Sequence, residues 1–128
     1  MLYIGRIDKA IYACVAEDIS VEETVITQKQ MEHIFDSHPQ KAHANVMQRL
    51  SEALRDPDYI LADKAPRTAV VFRQFMEGDE RYRVILKLAT KTDEQHPYNS
   101  IITAFYISEK KWNKYLRNKK VLYSRNKP

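Results

Sequence analysis

TAVVFRQFMEGDERYRVILKLAT, residues 68–90, decides how this chain folds. Two runs rich in β-branched and aromatic residues, 68–75 and 82–90, flank the polar link MEGDER. Side chains of a strand point alternately to its two faces. Val84, Leu86 and Leu88 therefore share one face of the second run, and Arg83, Ile85 and Lys87 the other. Two such runs joined by so short a link predict an antiparallel hairpin. YILAD (59–63) precedes them, and NSIITAFYI (99–107) follows after the longer polar link KTDEQHPYN. In succession they predict an antiparallel meander. If Lys87 faces away from the helices, it shares an open sheet face with Thr103 and Arg73.

Upstream, the apolar period is helical. In VITQKQM (25–31), Thr27 and Gln30 make a capping box, with Ile26 and Met31 as its hydrophobic staple. Met31, Ile34 and Phe35 form the apolar face. Pro39 ends this helix by biasing His38 towards an extended conformation. A second helix is expected from Gln40 to Leu54, with the stripe Val46, Met47, Leu50, Ala53 and Leu54. LYIGRI (2–7) and AIYACVA (10–16) read as two short strands or a hairpin, and EDISVEE (17–23) as a loop. Near the other end, Ser108 caps a helix, EKKWNKYLR, whose Trp112, Tyr115 and Leu116 share a face; KVLYS (120–124) returns as an edge strand. Helices followed by an antiparallel sheet predict an α+β fold. Residues 1–23 read as an N-terminal extension and 24–128 as the main domain.

The 128 residues suit one domain, and 44% hydrophobic with 30% charged residues suit a soluble globular chain. No apolar run approaches the ~20 residues of a membrane helix, and MLYIGRIDKA lacks the pattern of a signal peptide. No membrane partner is expected. A lone cysteine, Cys14, excludes an internal disulfide and fits a reducing compartment; it reads as a core residue rather than a nucleophile. Two glycines leave no Gly-rich phosphate loop. The net charge of +4 is unevenly spread. Residues 109–128 carry eight Lys or Arg and one acid, whereas the other 108 residues carry thirteen basic and sixteen acidic side chains. Trp112, Tyr115 and Tyr123 interleave the basic segment, a composition shared by phosphate-binding edges with stacking groups and by solvated terminal helices.

His33, His38 and His43 stand five residues apart in MEHIFDSHPQKAH. On a helix, five residues rotate a side chain by roughly 140°, so the three do not converge on one ion. No zincin pair and no CxxC exists, and no metal site is expected. His43 borders an apolar stripe and reads as packing. His33 lies nearly opposite the apolar face of its helix. His38 either satisfies carbonyls at the helix end or turns towards the sheet. The inventory of histidines, Lys, Arg and Thr suits metal-free RNA cleavage, in which RNA supplies its own 2′-OH nucleophile.

VITQKQMEHIFDSHP, EALRDPDYI, TAVVF, YRVILKLAT, NSIITAFYIS and NKKVLYS, in this order, resemble the phage-associated branch of the barnase–EndoU–colicin–RelE-like nucleases. The resemblance covers roughly residues 24–126. It implies N-terminal helices packed on a four- to five-stranded antiparallel sheet. It also implies a metal-independent endoribonuclease without cofactor, toxin-like and encoded by a phage or mobile element. By that resemblance His33, His38 and Thr103 are catalytic positions, with Lys87 and Ser124 as weaker transfers. Substrate binding is expected from Arg67, Arg73, Trp112, Lys119, Lys120, Tyr123 and Ser124. RNA, with tRNA among the candidates, is the expected partner, together with an immunity or antitoxin protein. The expected location is the cytoplasm of the host cell. The alternative is a non-catalytic nucleic-acid-binding module, or a phage or mobile-element interaction protein, on the same fold.

Overall fold

The computed structural model describes residues 1–37, 43–92, 95 and 97–125. The hairpin of 68–90 forms as its sequence predicts. Strand β4 (Thr68–Phe75) pairs antiparallel with β5 (Glu80–Lys87), from Thr68 opposite Lys87 to Phe75 opposite Glu80. A single 3-10 turn, Glu77–Asp79, joins them, with Asp79 in the left-handed region at φ 48°. Asp tolerates that region better than most residues. Strand β6 (Asn99–Tyr106) pairs antiparallel with β5, and β3 (Tyr59–Ala62) pairs with β4. Strand β7 (Val121–Ser124) adds to the free side of β3.

The sheet then extends where the sequence suggested otherwise. Strand β1 (Leu2–Arg6) pairs with β2 (Glu23–Ile26), and β2 runs parallel to β6. The order is β1-β2-β6-β5-β4-β3-β7, a single seven-stranded mixed sheet. This overturns the expectation of an α+β fold with N-terminal helices on a four- to five-stranded antiparallel sheet. Two local reasons account for it. Residues 9–12 form a short helix, α1 (Lys9–Tyr12), because the Asp8 side chain caps it by accepting from the Ala10 N–H at 2.9 Å. The partner of β1 is instead a four-residue strand directly before the Thr27 cap, too short and too uniformly buried to show a period of two. Cys14, expected in the core, is exposed just beyond α1.

The capping box is present: the Gln30 N–H donates to Thr27 Oγ1 at 3.1 Å and opens α2 (Gln28–Ser37). Helix α2 adjoins β6, while α3 (His43–Arg55) lies against β1 and β4. Their buried Met31, Ile34, Val46, Leu50 and Leu54 join Ile60, Val71, Val84, Leu86 and Ile101 in the main core. The opposite face is covered only in part. Helix α4 (Glu109–Asn118), capped by Ser108, stacks Trp112 on Phe72 with centroids 4.7 Å apart, over Leu61, Val70 and Ile85. Towards β6 this face stays open, with Thr103 half-buried and Phe105 exposed.

Asn99 ties the N-terminal strands to the rest. Its side chain is fully buried; Oδ1 accepts from the Ala89 N–H at 2.8 Å, and Nδ2 donates to the carbonyls of Val21 and Glu23 at 2.9 and 3.1 Å. Replacing Asn99 by Ala removes the side-chain partner of three backbone groups at a buried position. Asn99→Ala should therefore cost roughly 2–5 kcal/mol in urea-induced unfolding, since each buried unpaired polar group costs about 1–3. Gly5 makes a close approach: a Cβ there would lie 2.5 Å from Ser51 Oγ, which would have to turn aside. Gly5→Ala should lower stability by about 1–3 kcal/mol, as overpacking does. A second substitution, Ser51→Ala, should restore much of that loss; additive effects in a double-mutant cycle would show that the close approach is not the cause.

Candidate nucleic-acid interface

The strands set which residues meet on the open face. Ile85, opposite Thr103, belongs to the core under α4, and Arg83 lies opposite Phe105 and Phe72. Lys87 lies opposite Thr68 and Ser100. Arg83, Ile85, Lys87, Thr103 and Phe105 therefore floor one surface of β5 and β6. The wall is α4: Lys111, Lys114, Tyr115, Asn118 and Lys119 line a groove of about 330 Å³ along one flank. That flank faces β5, since the Arg83 guanidinium lies over the Tyr115 ring, 5.1 Å from its centroid.

Charge pairing sets Arg83 apart from the other arginines of the strands. Elsewhere Arg6 pairs with Glu22, Arg49 with Glu77 and Glu80, and Arg81 with Asp79 and Glu109. Arg73 pairs with Glu52 and Asp56, and Arg125 with Asp56 and Asp58. Arg83 is half-buried, makes no ion pair among the described residues, and keeps a buried Nε without a hydrogen-bond partner. A planar guanidinium with unused donors in partly desolvated surroundings suits a phosphate. Lys87 stands on the same strand face, its Nζ donating to the Pro66 carbonyl at 3.0 Å beside Thr68, which donates to the same oxygen.

Several residues singled out from sequence gather at this end of the sheet. The Ala62 N–H donates to the Lys120 carbonyl; Ala62 lies opposite Ala69, and Ala69 opposite Leu86. The end of α4 with Lys119 and Lys120 thus lies at the same end as Lys87. Arg67 is there too, half-buried at φ 56° in the turn before β4, its carbonyl accepting from the Leu88 N–H. Thr103 lies on the open face; His33 is exposed on α2, which adjoins the same strand but whose buried side chains join the core of the other face.

Others lie elsewhere. Trp112 is buried in the α4 core. Arg73 belongs to the helix face, where it is held by Glu52 and Asp56 and lies over Phe75. Tyr123 packs against the main core, and Ser124 lies opposite Tyr59 at the β7 edge, beyond α4 from the groove. His38 and His96 lie outside the described residues, as does the side chain of His43. Sequence reasoning passed over Phe105 and gave Arg83 no role, although the alternation of β5 had already placed Arg83 beside Lys87. Among the described residues no three His, Cys, Asp or Glu side chains group as metal ligands.

A second polar cleft, about 200 Å³, opens on the helix face between Asn45, Arg49, Glu80, Tyr82 and Tyr106. The hydroxyls of Tyr82 and Tyr106 share a 2.6 Å hydrogen bond. Burial first, and that bond second, hold the Tyr82 hydroxyl far above the ordinary tyrosine range.

A surface floored by Arg83, Lys87 and Thr103 and walled by lysines is of the class that takes a phosphate backbone. A family model, phage-Barnase-EndoU-ColicinE5/D-RelE like nuclease2, matches residues 4–124. The chain belongs to this family of nucleases. No curated protein and no solved structure matches it. No helix among the described residues is long and apolar enough to cross a membrane.

The tyrosine pair has a consequence for stability. Above the unfolded tyrosine pKa of about 10, the unfolded chain releases a proton that buried Tyr82 retains, so stability is full below that pH and falls as pH rises beyond it. The urea midpoint should therefore drop above pH ~10. Tyr82→Phe should shallow the drop, and an unchanged slope in that variant would place the proton elsewhere.

Proposed function

We propose that this nuclease is a metal-independent endoribonuclease whose substrate backbone lies on the open face of β5 and β6. The observation that carries the reading is Arg83: a half-buried guanidinium with no ion pair among the described residues, on one strand face with Lys87 and next to the strand of Thr103. In the proposed reaction a 2′-oxygen attacks the adjacent phosphorus as a base removes its proton. The 5′-oxygen leaves with a proton from an acid, giving a 2′,3′-cyclic phosphate and a 5′-hydroxyl. His33 and His38 are the proposed acid–base pair, both on the strength of the family resemblance, since α2 packs on the other sheet face beside β6. Arg83 and Lys87 balance the extra charge on the phosphorane, and Thr103 donates a hydrogen bond to a phosphate oxygen. Lys119, Lys120 and Arg67 extend the contact along the strand. The proposed setting is the cytoplasm of a cell carrying a phage or mobile element, with host RNA (tRNA included) as target and an immunity or antitoxin protein as partner.

RNA digestion in EDTA tests this directly. Wild-type protein should cleave and leave cyclic phosphate ends; His33→Ala and His38→Ala should each lose on the order of 10²–10⁴ in rate. Equal activity in all three would remove the histidines from the mechanism, and activity lost only in EDTA would point to a metal. Arg83→Ala should weaken RNA binding and flatten the plot of log affinity against log salt by about one phosphate contact. Salt-sensitive binding with intact RNA after long incubation would favour the non-catalytic module.

A further inference from the structure

Phe72, Arg83 and Phe105 form one row across β4, β5 and β6, all on the open face. The two ends of the row differ. Phe72 is fully buried beneath Trp112 and Tyr115. Phe105 is 40% exposed, and so is Ile102, the residue that bulges out of the β5–β6 register beside it. Arg83 thus stands between a covered aromatic ring and a bare one. Directly opposed residues of neighbouring strands have Cβ atoms about 5 Å apart, so a phosphate held by Arg83 brings an adjoining base within reach of the Phe105 ring. Lysines on α4 border the same surface, which makes its charge complementary to a nucleic-acid strand and opposed to a basic or purely apolar partner.

The geometry points to Phe105 as a base-stacking platform that selects unpaired nucleotides: the open face takes single-stranded RNA, its phosphate on Arg83 and its base on Phe105. The inference rests on the reading of this face as an RNA site. A flat ring on a sheet stacks with the face of a base, and every base has such a face. In a duplex those faces are already covered by neighbouring bases, so a helix offers Phe105 only its backbone. The platform therefore discriminates by strandedness more than by sequence.

The test uses the full chain with a 2′-O-methyl RNA oligonucleotide, which has no free 2′-hydroxyl and stays intact, as a single strand and as a duplex. Phe105→Ala should weaken single-strand binding roughly 5- to 100-fold, with little change for the duplex. Phe105→Trp should retain affinity, and its indole emission should be quenched as the strand binds; buried Trp112 supplies the constant background. Because Phe105 is exposed, both variants should unfold at the wild-type temperature. Single-strand affinity unchanged in Phe105→Ala, or a duplex that competes equally, would overturn the platform. If binding then still depends on Arg83, the RNA site on this face survives. If Arg83→Ala also leaves binding unchanged, or no RNA binds, both readings fall.

Discussion

The buried amide of Asn99 holds the two halves of this protein together. The parallel pairing of β2 with β6 rests on two register positions, Thr24 opposite Asn99 and Val25 opposite Ser100. So short a ladder is weak, and parallel pairs are slightly less stable per residue than antiparallel ones. Asn99 reinforces it by joining the carbonyls of Val21 and Glu23 to the backbone leaving β5. Since α2 follows β2 after a single residue, fixing β2 also fixes where α2 runs. The histidine helix is thereby held next to the strand of Thr103, a relation that neither segment could impose alone.

The second organising feature is the unequal covering of the sheet. On one face α2 and α3 complete a continuous core. On the other, α4 seals β3 and β4 through the Trp112–Phe72 stack and leaves β6 bare. Acidic residues follow the same division. Glu52, Asp56, Asp58, Asp79 and Glu80 each hold an arginine on the helix face or at the sheet's ends. Few acids are left to oppose Arg83 and Lys87. The groove is basic because the carboxylates are placed elsewhere, as much as because lysines cluster on α4.

The parts of this arrangement legible in the sequence are those fixed by local chemistry. Period-two alternation located β4, β5 and β6 and put Arg83, Ile85 and Lys87 on one side. The Thr27–Gln30 pair located the start of α2, and Ser108 that of α4. Long-range choices stayed hidden. Nothing in ETVI announces a parallel partner more than seventy residues away, and no local pattern says that Asn99 is buried. Asp8 redirected 9–12 from strand to helix through one capping bond, which apolar composition alone cannot signal. The site was half legible for the same reason. Alternation gave the two faces of each strand, but not which face of β4 or β6 joins Lys87: Thr103 shares its face and Arg73 does not. Whether an aromatic next to a basic run is core or surface likewise depends on which flank of α4 meets the sheet. Trp112 fell inside and Phe105 outside.

Arg83 is the point where the local rules are broken. Its neighbours on the row are aromatic, and its Nε, like that of Arg73, is buried without a partner; but the arginines on either side of it in β4 and β5, Arg73 and Arg81, have carboxylates. A partly desolvated, unpaired guanidinium costs stability wherever it occurs. A chain that pairs its other sheet arginines with carboxylates has the means to pair this one: a Glu or Asp at position 103 or 105, facing the same side, would suffice. The strand carries Thr103 and Phe105 there instead, one a hydrogen-bond donor and the other a flat apolar ring. Neither neutralises Arg83, and both suit the two remaining parts of a nucleotide, its phosphate oxygens and its base. Departures from local consistency concentrate at functional sites, and in this nuclease three residues of two adjacent strands depart together, in a way that a single ligand would reconcile.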